Sequence, residues 1–84
     1  MILIDVRTTE EFSQGHAEGA VNFPVERLSA GERPEIPSDQ PIQVYCRSGN
    51  RAGLAKLILE NEGYAVENLG GLSDIEKSGY KIVV

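Results

Sequence analysis

Ile2-Leu3-Ile4 is an unbroken apolar run closed by Asp5, the pattern of a strand covered on both faces. Directly after it, Thr8 stands as a helix N-cap with Glu11 three residues on in capping-box spacing. Gly15 stops that helix, so a short one is predicted over 9–15. Ala20-Val21-Asn22-Phe23, set between Gly19 and Pro24, predicts a second strand, ended where Pro24 offers no amide hydrogen. Val25–Leu28 adds one helical turn. Residues 29–41 collect Gly31, Pro34, Pro37, Ser38, Asp39 and Pro41, which is turn chemistry with little to bury, and read as a surface loop. Ile42-Gln43-Val44-Tyr45 is a β-branched and aromatic strand that runs straight into Cys46.

The longest helical pattern starts at Arg51 or Ala52 and ends at Glu62, with Gly63 as its C-terminal cap. Its apolar positions Leu54, Ala55, Leu57, Ile58 and Leu59 form a wide face, which predicts a well-buried helix. Ala65–Leu69 reads as a strand, Gly70-Gly71 as a tight turn, Leu72–Lys77 as a last short helix and Lys81–Val84 as an edge strand. Strands alternating with helices on short connections pair in parallel through right-handed crossovers. The expected fold class is therefore α/β, a small parallel sheet with helices on both faces. In such sheets ligands bind at the carboxyl ends of strands, and Cys46 lies at one.

Length and composition narrow this picture. Eighty-four residues suit one domain over 1–84 with one core. The longest apolar run, Met1–Ile4, is far short of the roughly 20 residues needed to cross a bilayer, so no membrane span is expected. The single cysteine forbids an internal disulfide, and with the single histidine it cannot make a Cys/His zinc site. A net charge of −5 argues against nucleic acid as a partner. The charge is uneven, however. From Pro41 to Leu59 there is no acid, while Arg47, Arg51 and Lys56 are all basic. A basic segment around the only cysteine of an acidic chain points to a local site for a small anion.

Cys46-Arg47-Ser48-Gly49-Asn50-Arg51 joins a strand to a helix. A short loop entering a helix N-terminus turns several backbone N–H groups into one concavity, and the helix dipole adds positive potential there. A cysteine facing those amides, with Arg47 and Arg51 beside it, has its thiolate favoured and becomes a good nucleophile. Gly49 supplies the positive φ that a tight loop calls for, and Ser48 and Asn50 are available to donate or accept within it. A lone cysteine after a strand is more often a small buried hydrophobe. The acid-free loop bracketed by Cys and Arg turns the reading toward function.

Other candidates are weaker. Asp5 and Arg7, at the end of a strand and so near the cradle, read as a local ion pair or loop clasp. His16 invites a general-base role beside Cys46, but its setting between Gly15 and Gly19 reads better as a turn residue bonded to backbone. Glu10, Glu11 and the acids at 60, 62, 67, 74 and 76 read as solvated faces and helix caps, and Tyr45 as packing.

Taken in order, these residues resemble the rhodanese-like sulfurtransferases. Ile4-Asp5-Val6-Arg7 looks like that family's opening strand motif, and His16-Ala17-Glu18-Gly19-Ala20-Val21-Asn22-Phe23-Pro24 like its His-x-x-Gly-Ala-x-Asn-x-Pro motif. Cys46–Arg51 resembles its active-site loop, and Gly70-Gly71 its double glycine. The resemblance covers almost the whole chain and is nearest to the small single-domain rhodaneses. It departs in lacking a Trp after the double glycine and the additional strand and helix that many of these domains carry before the first motif.

The resemblance implies a two-step transfer. Cys46 thiolate attacks the outer sulfur of thiosulfate, or of another small anionic sulfur donor, and sulfite leaves. The Cys46 persulfide then sits among the N–H groups of residues 47–51 until cyanide or a thiol acceptor removes the sulfur. Arg47 draws in the dianionic donor, Arg51 shapes the loop and starts the helix, and Asp5 and Arg7 support it. No cofactor and no metal is required, and a monomer is expected. The small single-domain branch is periplasmic and made with a signal peptide, so the expected compartment is periplasmic if a leader has been removed and cytoplasmic otherwise. Two alternatives stand beside this. One is a sulfur carrier or binding module without multiple turnover. The other is a cysteine phosphatase or arsenate reductase, whose loop is Cys-x5-Arg rather than the Cys-x4-Arg found here.

Overall fold

The computed structural model describes all of residues 1–84. The Ile2-Leu3-Ile4-Asp5 run forms β1 (Ile2–Asp5), the Thr8-capped segment forms α1 (Thr9–Gln14), and β2 (His16–Ala17), β3 (Val21–Asn22) and α2 (Val25–Ser29) follow. After the loop come β4 (Ile42–Cys46), α3 (Asn50–Asn61), β5 (Val66–Gly71), α4 (Leu72–Lys77) and β6 (Ile82–Val83). The capping box at Thr8 is present in both directions, with Glu11 N–H donating to Thr8 Oγ1 and Thr8 N–H to Glu11 Oε1. No helix is long and apolar enough to cross a membrane.

The main sheet is wholly parallel, in the order β3-β1-β4-β5. Because side chains alternate across a strand, its two faces carry separate clusters. Ile4, Val6, Ile42, Val44 and Cys46 share one face with Val25 and Leu28 of α2 and Ala52, Ala55 and Leu59 of α3. Leu3 and Tyr45 take the other, under Ile75 of α4 and Ala17 of β2. Helices therefore cover both faces, as the unbroken apolar strands require.

Three expectations are corrected. The apolar face of α3 is not buried across its width. Ala52, Ala55 and Leu59 bury, while Leu54 and Leu57 turn to solvent at 46% and 67% exposure. Alanine at the contact positions lets the helix lie close to the sheet, so a narrow stripe suffices. The C-terminal strand does not extend the edge of the main sheet. Ile82–Val83 pairs antiparallel with His16–Ala17 in a separate two-stranded sheet, and so places His16 in a strand rather than a turn. Gly70-Gly71 is not a tight turn but the end of β5. A β-bulge shifts the register between Val44 and Cys46 and sets Gly71 opposite Cys46.

Candidate active site

Cys46 closes β4, in the middle of the sheet and at its carboxyl edge, with α3 starting four residues later. Its side chain points to the α3 face and is 1% exposed. The loop folds back over the sulfur, and Gly49 N–H donates to Cys46 Sγ at 2.9 Å. That return requires a left-handed residue, which Gly49 provides at φ +97°.

Two neighbouring segments hold the loop in shape. On one side, Asn68 of β5 donates from Nδ2 to the Gly49 carbonyl at 3.1 Å and accepts from Gly70 N–H on Oδ1 at 2.8 Å. Gly71 lies so close to the loop that any side chain there would collide with the Arg47 carbonyl oxygen. On the other side, Arg51 donates from Nη1 and Nη2 to the two carboxylate oxygens of Glu11, at 2.6 and 3.0 Å. Those bonds hold the Glu11 carboxyl down at about 2 and raise the Arg51 guanidinium above its ordinary value.

Beneath the loop, Asp5 and Arg7 form the expected clasp, and both are buried. Asp5 accepts from Arg7 N–H and from the guanidinium, at 2.7 Å for the shortest bond, and Arg7 Nη2 also donates to the Gly15 carbonyl. Tyr45, buried on the same face of the sheet, accepts from Ala17 N–H, and burial pushes its hydroxyl well above the usual phenol range. A cavity of about 450 Å³ opens beside the loop, with Arg7, Glu11, Arg47 and Glu76 among its lining.

The structure thus brings Cys46, Arg47, Gly49, Arg51 and the Asp5–Arg7 pair to one end of the sheet. Ser48 and Asn50 lie in the loop with exposed side chains that make no hydrogen bond within the protein, and Asn50 rather than Arg51 begins α3. His16 is engaged elsewhere. Its Nδ1 lies 2.8 Å from the Phe12 carbonyl and its ring stacks on Phe12, which accords with the backbone-bonded reading. Glu11 is a cap, as its position predicts, but not a solvated one, because it also grips Arg51. Sequence reasoning passed over Asn68, whose only signal is its place two residues before the Gly70-Gly71 pair that ends β5 beside the loop.

A family model described as Rhodanese-like domain matches residues 1–78. Thiosulfate sulfurtransferase PspE of Escherichia coli is 42% identical over 74 residues, covering 86% of this chain and 71% of that protein. A protein named Sulfurtransferase from Allochromatium vinosum is 36% identical over 85 residues, covering 99% of this chain and 78% of its own. A rhodanese from E. coli, solved with anions, superimposes with a TM-score of 0.80 at 37% identity, over 98% of this chain and 95% of that one. The motifs, the fold and these likenesses agree, and the chain belongs to the rhodanese-like sulfurtransferase family.

Proposed function

We propose that this protein is a thiosulfate sulfurtransferase working through a persulfide on Cys46. The observation that carries the reading is the sulfur of Cys46 held 2.9 Å from the Gly49 N–H, inside a loop that opens into α3 and beside the exposed Arg47. An anionic sulfur at that point meets the Gly49 N–H and the positive end of the helix.

In the first half-reaction the Cys46 thiolate attacks the outer sulfur of thiosulfate. The S–S bond of thiosulfate breaks as the new one forms, and sulfite departs with the electron pair. Arg47 attracts the dianion, and the Cys46 persulfide carries one negative charge into the loop. In the second half-reaction an acceptor attacks the outer sulfur of the persulfide and Cys46 leaves as thiolate. Cyanide departs as thiocyanate, and a thiolate acceptor departs as its own persulfide. Charge balances at each step and no electrons are exchanged with a third party.

The geometry disfavours the phosphatase reading. The loop here is one residue shorter than Cys-x5-Arg, and two of the five N–H groups of Arg51 are turned to Glu11 rather than into the loop.

The test is the intact mass before thiosulfate, after it, and after cyanide. The expected result is a gain of one sulfur atom on Cys46 that cyanide removes as thiocyanate. No gain overturns the reading. A gain that neither cyanide nor small thiols remove, but a partner protein does, makes the protein a carrier instead.

A further inference from the structure

Gly49 gives the reacting sulfur the hydrogen bond it receives from the loop, yet a glycine at positive φ has no side chain to hold it there. Only its own φ and ψ separate the N–H that faces Cys46 Sγ from its carbonyl, so whatever holds the carbonyl also aims the N–H. Two donors hold it. Gly53 N–H reaches it at 2.9 Å within the first turn of α3, and Asn68 Nδ2 reaches it at 3.1 Å from β5. The second alone comes from outside the loop and its helix.

The Asn68 amide has one way round. Gly70 N–H donates to its Oδ1 at 2.8 Å, which leaves Nδ2 for Gly49. The next amide, Gly71 N–H, donates to Asp74 Oδ2 at 2.8 Å, so the strand end that orients Asn68 is itself fixed. Glycines make room for this contact. A Cβ on Gly53 would stand 3.8 Å from Asn68 Nδ2, and one on Gly49 would stand 3.5 Å from the Gly70 Cα.

The geometry points to Asn68 as a positioning residue for sulfur transfer, whose carboxamide grips the Gly49 carbonyl and so keeps the Gly49 N–H on the Cys46 sulfur. That N–H favours the anionic sulfur, which attacks in the first half-reaction and departs in the second. Asn68 therefore acts on the rate of both and not on capture of the donor, which belongs to the exposed Arg47. The requirement is for a donor group. An aspartate has the same shape and still accepts from Gly70 N–H, but it turns a second oxygen toward the Gly49 carbonyl and repels it. This inference rests on the persulfide reading above.

The experiment compares the native protein with Asn68→Ala and Asn68→Asp in single turnovers, in high salt that screens the added charge and well below the lowest melting temperature. Sulfur uptake is followed by mass over a range of thiosulfate concentrations, and discharge of the loaded protein by thiocyanate release with cyanide. Asn68→Ala should lower the saturating uptake rate and the discharge rate by about threefold to tenfold, the range of one neutral hydrogen bond. The thiosulfate concentration at half-saturation should stay where it is. Asn68→Asp should be slower still, although it keeps the Gly70 bond that Asn68→Ala loses. A residue that merely held the strand end would give the opposite order. That opposite order, native rates in Asn68→Ala, or a change confined to half-saturation overturns the assignment while leaving sulfur transfer intact. Failure of the native protein to gain sulfur removes the transfer reading, and this assignment with it.

Discussion

Glu11 and Arg51 stand 40 residues apart in the chain and meet through two hydrogen bonds, Nη1 to Oε1 and Nη2 to Oε2. The pair fastens the first turn of α3, and with it the loop that ends there, to the first turn of α1. Glu11 is at the same time the reciprocal partner of Thr8, so one carboxylate caps one helix and anchors the start of another.

Glu11→Gln is therefore expected to act in two ways. At neutral pH it removes charge-assisted hydrogen bonds and costs about 1.5–3 kcal/mol of stability. It also changes the acid limb. Glu11 titrates near 2 in the folded chain against 4.5 ordinarily, so the unfolded chain binds more protons between those values. The stabilisation is present above about 4.5 and is lost as pH falls toward about 2. Urea unfolding at pH 6 and pH 3 checks this. The variant should lie closer to the native protein at pH 3 than at pH 6, and a constant gap would refute the role.

Cys46→Ser should abolish sulfur uptake from thiosulfate and leave the fold in place, since the smaller hydroxyl still accepts from Gly49 N–H. Mass spectrometry and circular dichroism give the two readouts. A serine variant with native turnover would sink the mechanism.

Two glycines make a controlled comparison. Gly71→Ala forces its new methyl group into the Arg47 carbonyl, so the loop or the end of β5 must move, at a cost of about 1–3 kcal/mol and most of the turnover. Gly53 sits inside α3 with ordinary helical φ, and a methyl there meets only the Asn68 amide at 3.8 Å. Gly53→Ala should stabilise the protein by about 0.5–1 kcal/mol. Thermal melts of both variants measure the difference, and equal shifts would contradict the packing described.

Arg47→Ala should raise the apparent KM for thiosulfate by about threefold to tenfold with a smaller change in kcat, because its guanidinium is exposed and attracts the donor without holding the loop. Steady-state kinetics at two salt concentrations test it. The native KM should rise with salt and the variant's should respond less.

Local signals made most of this architecture legible beforehand. The Thr8–Glu11 capping box, the bounds of α4 and the Asp5–Arg7 clasp each depend on residues within a few positions of one another, and the structure reproduces them. The loop was legible because strand, thiol, glycine and arginine are consecutive. What escaped depends on separation. The Glu11–Arg51 pair and the Asn68 clamp join residues 40 and 19 positions apart, and an acid in a first helical turn already has a sufficient local explanation. β2 has two residues, too few for alternation to show, and exists because it finds β6; the strand at 81–84 was legible, but its partner was not. The exposed Leu54 and Leu57 were misread because small alanines, not leucines, face the sheet.

Cys46 belongs to the eleven-residue apolar cluster that also contains Ile4, Val44 and Leu59. The reacting atom is thus a piece of the core, and its chemical history becomes a matter of folding. Oxidation to the sulfonic acid would add three oxygens to a side chain that is 1% exposed, more bulk than the loop closed over it by the Gly49 N–H can take without moving. Overoxidised copies should therefore unfold rather than persist as inert look-alikes that occupy the acceptor. Peroxide in excess should lower the melting temperature together with the activity, and thiosulfate given first should protect both.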